Sequence, residues 1–120
     1  MTIRVRMVPH LSEIRSEESG IRRVIEAYFK HLPAFGIKLV KPNSDSYDIK
    51  AGHAGIAPDA TVSHLHGIYW SADYDSASWE KKANQSVVQS IRSAHRLTVP
   101  SRWVAETIQR DIRVDPAVVP

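Results

Sequence analysis

The sequence contains no cysteine, which excludes a disulfide framework and any metal site built on thiolates. No apolar run approaches the roughly 20 residues that a membrane-spanning helix needs. Nothing near the first residues has the charged, apolar and small-residue order of a signal peptide, so the cytoplasm is the expected location. No segment repeats at a fixed period or is of low complexity. Charge of one sign is also scarce: 16 basic and 13 acidic residues leave a net charge of +3. That balance permits an anionic ligand, but there is no dense basic tract, and nucleic acid is not an expected partner.

What remains is an ordinary globular composition, 42% hydrophobic and 24% charged over 120 residues. This length makes one domain, 1–120, able to bury roughly two-thirds of its unfolded surface.

Hydrophobic periodicity divides the chain. Ile3, Val5 and Met7 alternate with Arg4 and Arg6 as a half-exposed strand stopped by Pro9. A polar loop from His10 to Ser19 follows, and its run from Glu13 to Glu18 is expected to be mobile and lid-like. Ile21, Val24, Ile25, Tyr28 and Leu32 then predict a helix opened by Gly20, with Ser19 as N-cap, ended by Pro33 and Gly36. Ile37 to Val40 and Tyr47 to Ala51 read as strands. The gap between them is too short for a parallel crossover, which predicts an antiparallel pair. Gly52 to Ala60 is read as a loop.

Val62 to Gly67 forms the central strand, with His64 and His66 on one face and Leu65 on the other. A helix through Trp79, Val87 and Ile91, a strand at Arg96 to Val99, a helix capped by Ser101 and a short strand at Ala117 to Val119 complete the order β-α-β-β-β-α-β-α-β. This pattern predicts an α/β, Rossmann-like three-layer sandwich with a mainly parallel, partly mixed sheet. The final strand's shortness points to a domain cut where a linker would begin.

Four stretches together resemble the amino-terminal domain of GT-B-fold, family-4 retaining glycosyltransferases. They are the Ser19-Gly20 loop, His64-Leu-His-Gly67, Val99-Pro-Ser-Arg-Trp103 opening a helix, and the final Ala117-Val-Val-Pro120. Their order and spacing cover nearly the whole chain. Only one glycine stands in the first loop, where many members have two. The resemblance implies the acceptor-side half of an enzyme that moves a hexose from a nucleotide diphosphate sugar to a hydroxyl, with retention and without a metal or other cofactor. The acceptor would be a carbohydrate or a lipid-linked hydroxyl. It also implies a carboxyl-terminal donor domain as the missing partner, so this chain alone is expected to be inactive.

By that resemblance His66 is the candidate catalytic residue, and Ser19, Gly20, Gly67, Tyr69, Trp70, Asp73, Ser101 and Arg102 are candidate substrate contacts. Each has a plain alternative. His64 reads as a hydrogen-bonded structural histidine. Arg22 and Arg23 stand where positive charge opposes the helix dipole, so either an anion sits there or Glu18 and Glu26 neutralise them. Ser101 can be a simple N-cap, and Trp103 a core or domain-contact residue. Tyr69, Trp70, Asp73 and Tyr74 suit a sugar, with rings for its faces and a carboxylate for its hydroxyls, but the rings can equally cover the sheet end. Zinc on His53, His64 and His66, as in a metal-dependent hydrolase, lacks any supporting carboxylate spacing. From another class, a stand-alone Rossmann-like module would use the same edge to bind an anion, a nucleotide or a partner protein without catalysis. Uncovered aromatic residues and a terminal edge strand predict two-fold self-association.

Overall fold

The computed structural model describes residues 1–15, 20–53, 57, 59–66 and 78–119. The elements are β1 (Ile3–Val8), α1 (Gly20–His31), β2 (Ile37–Leu39), β3 (Ile49–His53), β4 (Val62–His64), α2 (Ser78–Ser93), β5 (Arg96–Val99), α3 (Arg102–Ile112) and β6 (Ala117–Val118). Short 3-10 turns lie at Leu11–Glu13 and Leu32–Phe35. The six strands form one sheet in the order β2-β1-β3-β4-β5-β6. Helices pack on both faces, so the chain is a Rossmann-like α/β sandwich.

Every pairing is parallel, so the expected mixed sheet is corrected. The segments read as an antiparallel pair are not neighbours at all; β1 lies between them. β2 pairs with the first half of β1, Ile3 opposite Ile37 and Val5 opposite Leu39, while β3 pairs with the second half, from Val5 opposite Ile49 to Val8 opposite Gly52. Both registers meet at Val5. The chain therefore leaves β2 and enters β3 at the same height and has only to step sideways over β1. Val40 N–H donates to the Val5 carbonyl at 3.0 Å and Asp48 N–H to the Arg4 carbonyl at 2.9 Å, pinning the two ends of that step. The length rule for parallel crossovers assumes a return trip along the strand, and here there is none.

Period-two alternation sorts the strands into two faces. One face carries Val5, Met7, Ile49, Ala51, His53, Val62, His64 and Thr98, and the other carries Arg4, Arg6, Lys50, Gly52, Ser63 and Val99. The connection β1-α1-β2 runs toward one edge of the sheet, and β4-α2-β5-α3-β6 runs toward the other. Right-handed crossovers then place α1 on the opposite face from α2 and α3. Accordingly Tyr28 of α1 meets His53, with ring centroids 5.5 Å apart. On the other face Leu65, Val87, Ile91, Val99, Val104 and Ile108 form the buried core.

Ala57 and Ala60, between β3 and β4, lie on that second face, close against Gly52. A Cβ on Gly52 would stand 3.0 Å from the Cβ of Ala57 and 3.2 Å from that of Ala60. Gly52 is therefore glycine because a neighbouring segment needs the space.

Three other expectations change. β3 continues to His53, which brings into the sheet a histidine read as part of a loop. β4 ends at His64; Leu65 and His66 follow it, and Leu65 N–H still donates to the Thr98 carbonyl at 2.8 Å. His10 to Ile14 is a capped turn, with Ser12 and Glu13 exposed. His10 N–H donates to Glu13 Oε1 at 2.9 Å, Ser12 N–H donates to His10 Nδ1 at 3.1 Å, and the His10 ring stands edge-on to Phe29 at 4.7 Å. Residues 16–19 of that segment lie outside the described residues.

Candidate functional site

The sheet order reverses between β1 and β3, and ligands of open α/β sheets gather beyond the strand ends at such a point. Here the carboxyl ends of β1, β3 and β4 supply Met7, His53 and His64, and the chain leaving β4 adds His66. The three imidazoles form a cluster, with ring centroids 5.7 Å apart for His53 and His64, 5.6 Å for His53 and His66, and 5.1 Å for His64 and His66. His53 is buried, only 2% exposed, and the other two are half-buried.

Hydrogen bonds assign the protons. His53 Nε2 lies 3.1 Å from the Met7 sulfur, and His53 Nδ1 lies 3.4 Å from His66 Nε2. A thioether accepts but cannot donate. Were His53 protonated on Nδ1, its Nε2 lone pair would face the sulfur lone pairs. The network therefore places the proton of His53 on Nε2, which leaves Nδ1 to accept from His66 Nε2–H. His66 Nδ1 then carries the free lone pair, and it has no partner among the described residues. His64 Nδ1 is tied separately to Thr98 Oγ1 at 2.7 Å.

Burial favours the neutral form of all three rings. Burial drives the pKa of His53 down to about 3, and the neighbouring His66 and His64 add to the effect. Burial likewise lowers His64, and burial with the nearby His64 lowers His66. Below the cluster, an open cavity of about 200 Å³ runs between α1 and the sheet, lined by Met7, Tyr28, Leu32, His53, His64 and Thr98 among others. Among the described residues, no three histidine or carboxylate side chains are arranged to share a metal ion.

The remaining candidates divide. Gly20 opens α1 and Ser101-Arg102 open α3, both following strand ends at the carboxyl edge that carries the histidines. A Cβ on Gly20 would meet nothing within 4 Å, so the fold does not itself require glycine there. Ser101 is an N-cap, its Oγ accepting from Val104 N–H at 3.3 Å. Arg22 pairs with Glu26 at 2.8 Å and also donates to the Ile14 carbonyl, which satisfies it without a bound anion. Trp103 is 72% exposed and so is not a core residue. Ser19, Gly67, Tyr69, Trp70, Asp73 and Tyr74, and Glu18 with them, lie outside the described residues.

Sequence reasoning underrated His53 and overlooked Met7 and Thr98 as site residues. A usable signal existed: the alternation of Ile49 and Ala51 continues by period two to His53. Comparison with protein-family models, with curated proteins and with solved structures gave no match.

Proposed function

We propose that this chain is the acceptor-side domain of a GT-B-fold, family-4-like retaining glycosyltransferase. The observation that carries the proposal is the Nδ1 of His66, at the carboxyl edge of a parallel sheet, which has no partner among the described residues and belongs to a ring whose neutral form burial favours. A neutral imidazole with an open acceptor nitrogen can receive the hydrogen bond of an incoming hydroxyl and aim its oxygen at the anomeric carbon. In the reaction the bond from that carbon to the nucleotide diphosphate breaks, a bond to the acceptor oxygen forms on the same side of the ring, and the hydroxyl proton passes to the departing diphosphate.

His53, locked between the Met7 sulfur and His66, acts as a positioning residue that sets the tautomer of His66. The amino ends of α1, at Gly20, and of α3, at Ser101 and Arg102, offer backbone N–H groups and a guanidinium to phosphate or hydroxyl oxygens. The nucleotide sugar and the basic residues that stabilise its departing diphosphate belong, on this proposal, to a second α/β domain. The cytoplasm, where nucleotide sugars are available, is the compartment proposed for it.

Titration of the chain with a panel of oligosaccharides, followed by histidine side-chain nitrogen resonances, tests this function. A hydroxyl-bearing sugar is expected to shift Nδ1 of His66, while the chain alone forms no glycoside from any nucleotide sugar. Failure of every sugar to move that resonance, or turnover by the isolated chain, would reject the assignment.

A further inference from the structure

A second pocket, on the sheet face opposite the histidines, involves none of the residues of the candidate site. It has a volume of about 580 Å³ and is lined by Arg4, Lys38, Lys41, Asn43, Ser44 and Ser46, among others. Its floor follows from the strand register. Arg4 and Lys38 are direct neighbours across β1 and β2, and Arg6 and Lys50 are direct neighbours across β1 and β3. Four cations thus share one face of three adjacent strands, at strand spacings of about 4.8 Å. Like charges set side by side in a sheet repel one another, so such a row needs counter-charge.

The chain supplies only part of it. Asp48 accepts from the Arg4 backbone N–H at 2.8 Å and from its guanidinium at 3.2 Å, and those bonds, the backbone one foremost, lower the Asp48 pKa. Asp59 takes Lys50 at 2.7 Å. Lys38 and Lys41 have no carboxylate partner among the described residues, and Arg6 reaches a carboxylate, that of Asp59, only through space. Arg6 also meets the Ser44 carbonyl at 3.5 Å and the Tyr47 ring at 5.7 Å, and its buried Nε has no acceptor among the described residues. Neutral donors stand beside these charges. Ser46 Oγ already accepts from Arg4, which leaves its own proton to donate outward, and the Asn43 amide has no partner among the described residues.

We propose that this pocket binds a phosphate monoester dianion. Two free ammonium groups, a guanidinium, a hydroxyl and an amide around one concavity match a compact, doubly charged group with several acceptor oxygens. Its volume admits the phosphate together with the organic group it esterifies. The site is independent of the glycosyltransferase assignment: it lies on the other face of the sheet, over the edge strand β2, and its test uses no sugar.

The experiment titrates the full chain at low ionic strength with inorganic phosphate and, separately, with phosphatidylcholine vesicles carrying phosphatidic acid. Amide resonances of residues 38–46 report the first arm, and co-sedimentation reports the second. Inorganic phosphate is expected to shift those amides saturably. The double variant Lys38→Gln/Lys41→Gln, exposed at both positions and checked for native circular dichroism, is expected to bind about ten-fold more weakly through loss of two charge-assisted contacts. Arg92→Gln, an exposed cation on α2, should bind as the parent does. Binding in the phosphate arm identifies a soluble phosphomonoester as the ligand. Binding to vesicles alone, lost in the double variant, identifies a lipid headgroup with the same chemistry. Absence of binding in both arms, or equal affinity in the double variant, overturns the proposal.

Discussion

His53 and Gly52 are adjacent in β3 and face opposite layers, and each carries a measurable consequence. In the unfolded chain His53 titrates near 6.5, whereas in the fold burial holds it near 3. Between those values the unfolded state binds the extra proton. Stability is therefore complete above about pH 6.5 and falls as the pH drops toward 3, by at most about 1.4 kcal/mol per pH unit for this one group. His64 and His66 are lowered as well and act in the same direction. The exposed carboxyls of Asp48 and Asp59, also lowered, act only below their ordinary value of 3.8. Urea unfolding at a series of pH values should show this slope, and His53→Gln should flatten it. Equal midpoints at about pH 7 and about pH 5 would mean that His53 is not held neutral by the fold. At Gly52 the expected change is steric. Gly52→Val drives methyl groups into Ala57 and Ala60 and should destabilise by about 1–3 kcal/mol in the same assay, whereas Gly20→Ala, with open space around it, should not.

Among the elements, β4 and α2 are joined by a buried pair, Ser63 Oγ and Ser90 Oγ, 2.7 Å apart and both fully buried. Removing one hydroxyl strands the other, at a cost of about 1–3 kcal/mol, while removing both strands nothing. Ser63→Ala and Ser90→Ala should thus each destabilise more than half as much as the double variant does, a non-additivity that a thermal double-mutant cycle would detect. Additive losses would show that the two hydroxyls do not depend on each other. This pair was invisible in the sequence, since nothing local marks two serines 27 positions apart as partners. The elements themselves were legible. The spacing of Ile21, Val24, Ile25 and Tyr28 defined α1, and the alternation from Ile3 to Met7 defined β1, because both periods are set by local geometry. Pairing was not legible between β2 and β3, where a staggered register lets a short loop do what normally takes a helix. The histidine cluster was half legible: His64 and His66 stand in one short motif, but His53 and Met7 reach them only through strand order.

On the scale of the whole molecule, one uncovered apolar region lies beyond β5 and β6, apart from Met1, Ile3 and Phe35 at the other end of the sheet. Trp103 is 72% exposed at the start of α3, and Val118 on the edge strand and Val119 just after it are each 46% exposed. All three belong to the carboxyl side of β5 and β6, where Val119 N–H pairs with the Val99 carbonyl at 2.7 Å and, among the described residues, no strand lies beside the far edge of β6. Two copies related by a two-fold axis can cover this region. Sedimentation velocity should reveal reversible dimerisation, and Trp103→Ser should weaken it about ten-fold or more, as loss of a tryptophan anchor does. A strictly monomeric protein at high concentration would refute this. The meeting of two registers at Val5 has a different sort of consequence, one of timing. During vectorial synthesis β1 leaves the ribosome before either of the strands that flank it, and both of its edges stay open until residues 37–53 have emerged. For that interval Arg4 and Arg6 protect the strand: charges on one side of a naked strand discourage it from joining its counterpart on a neighbouring nascent chain.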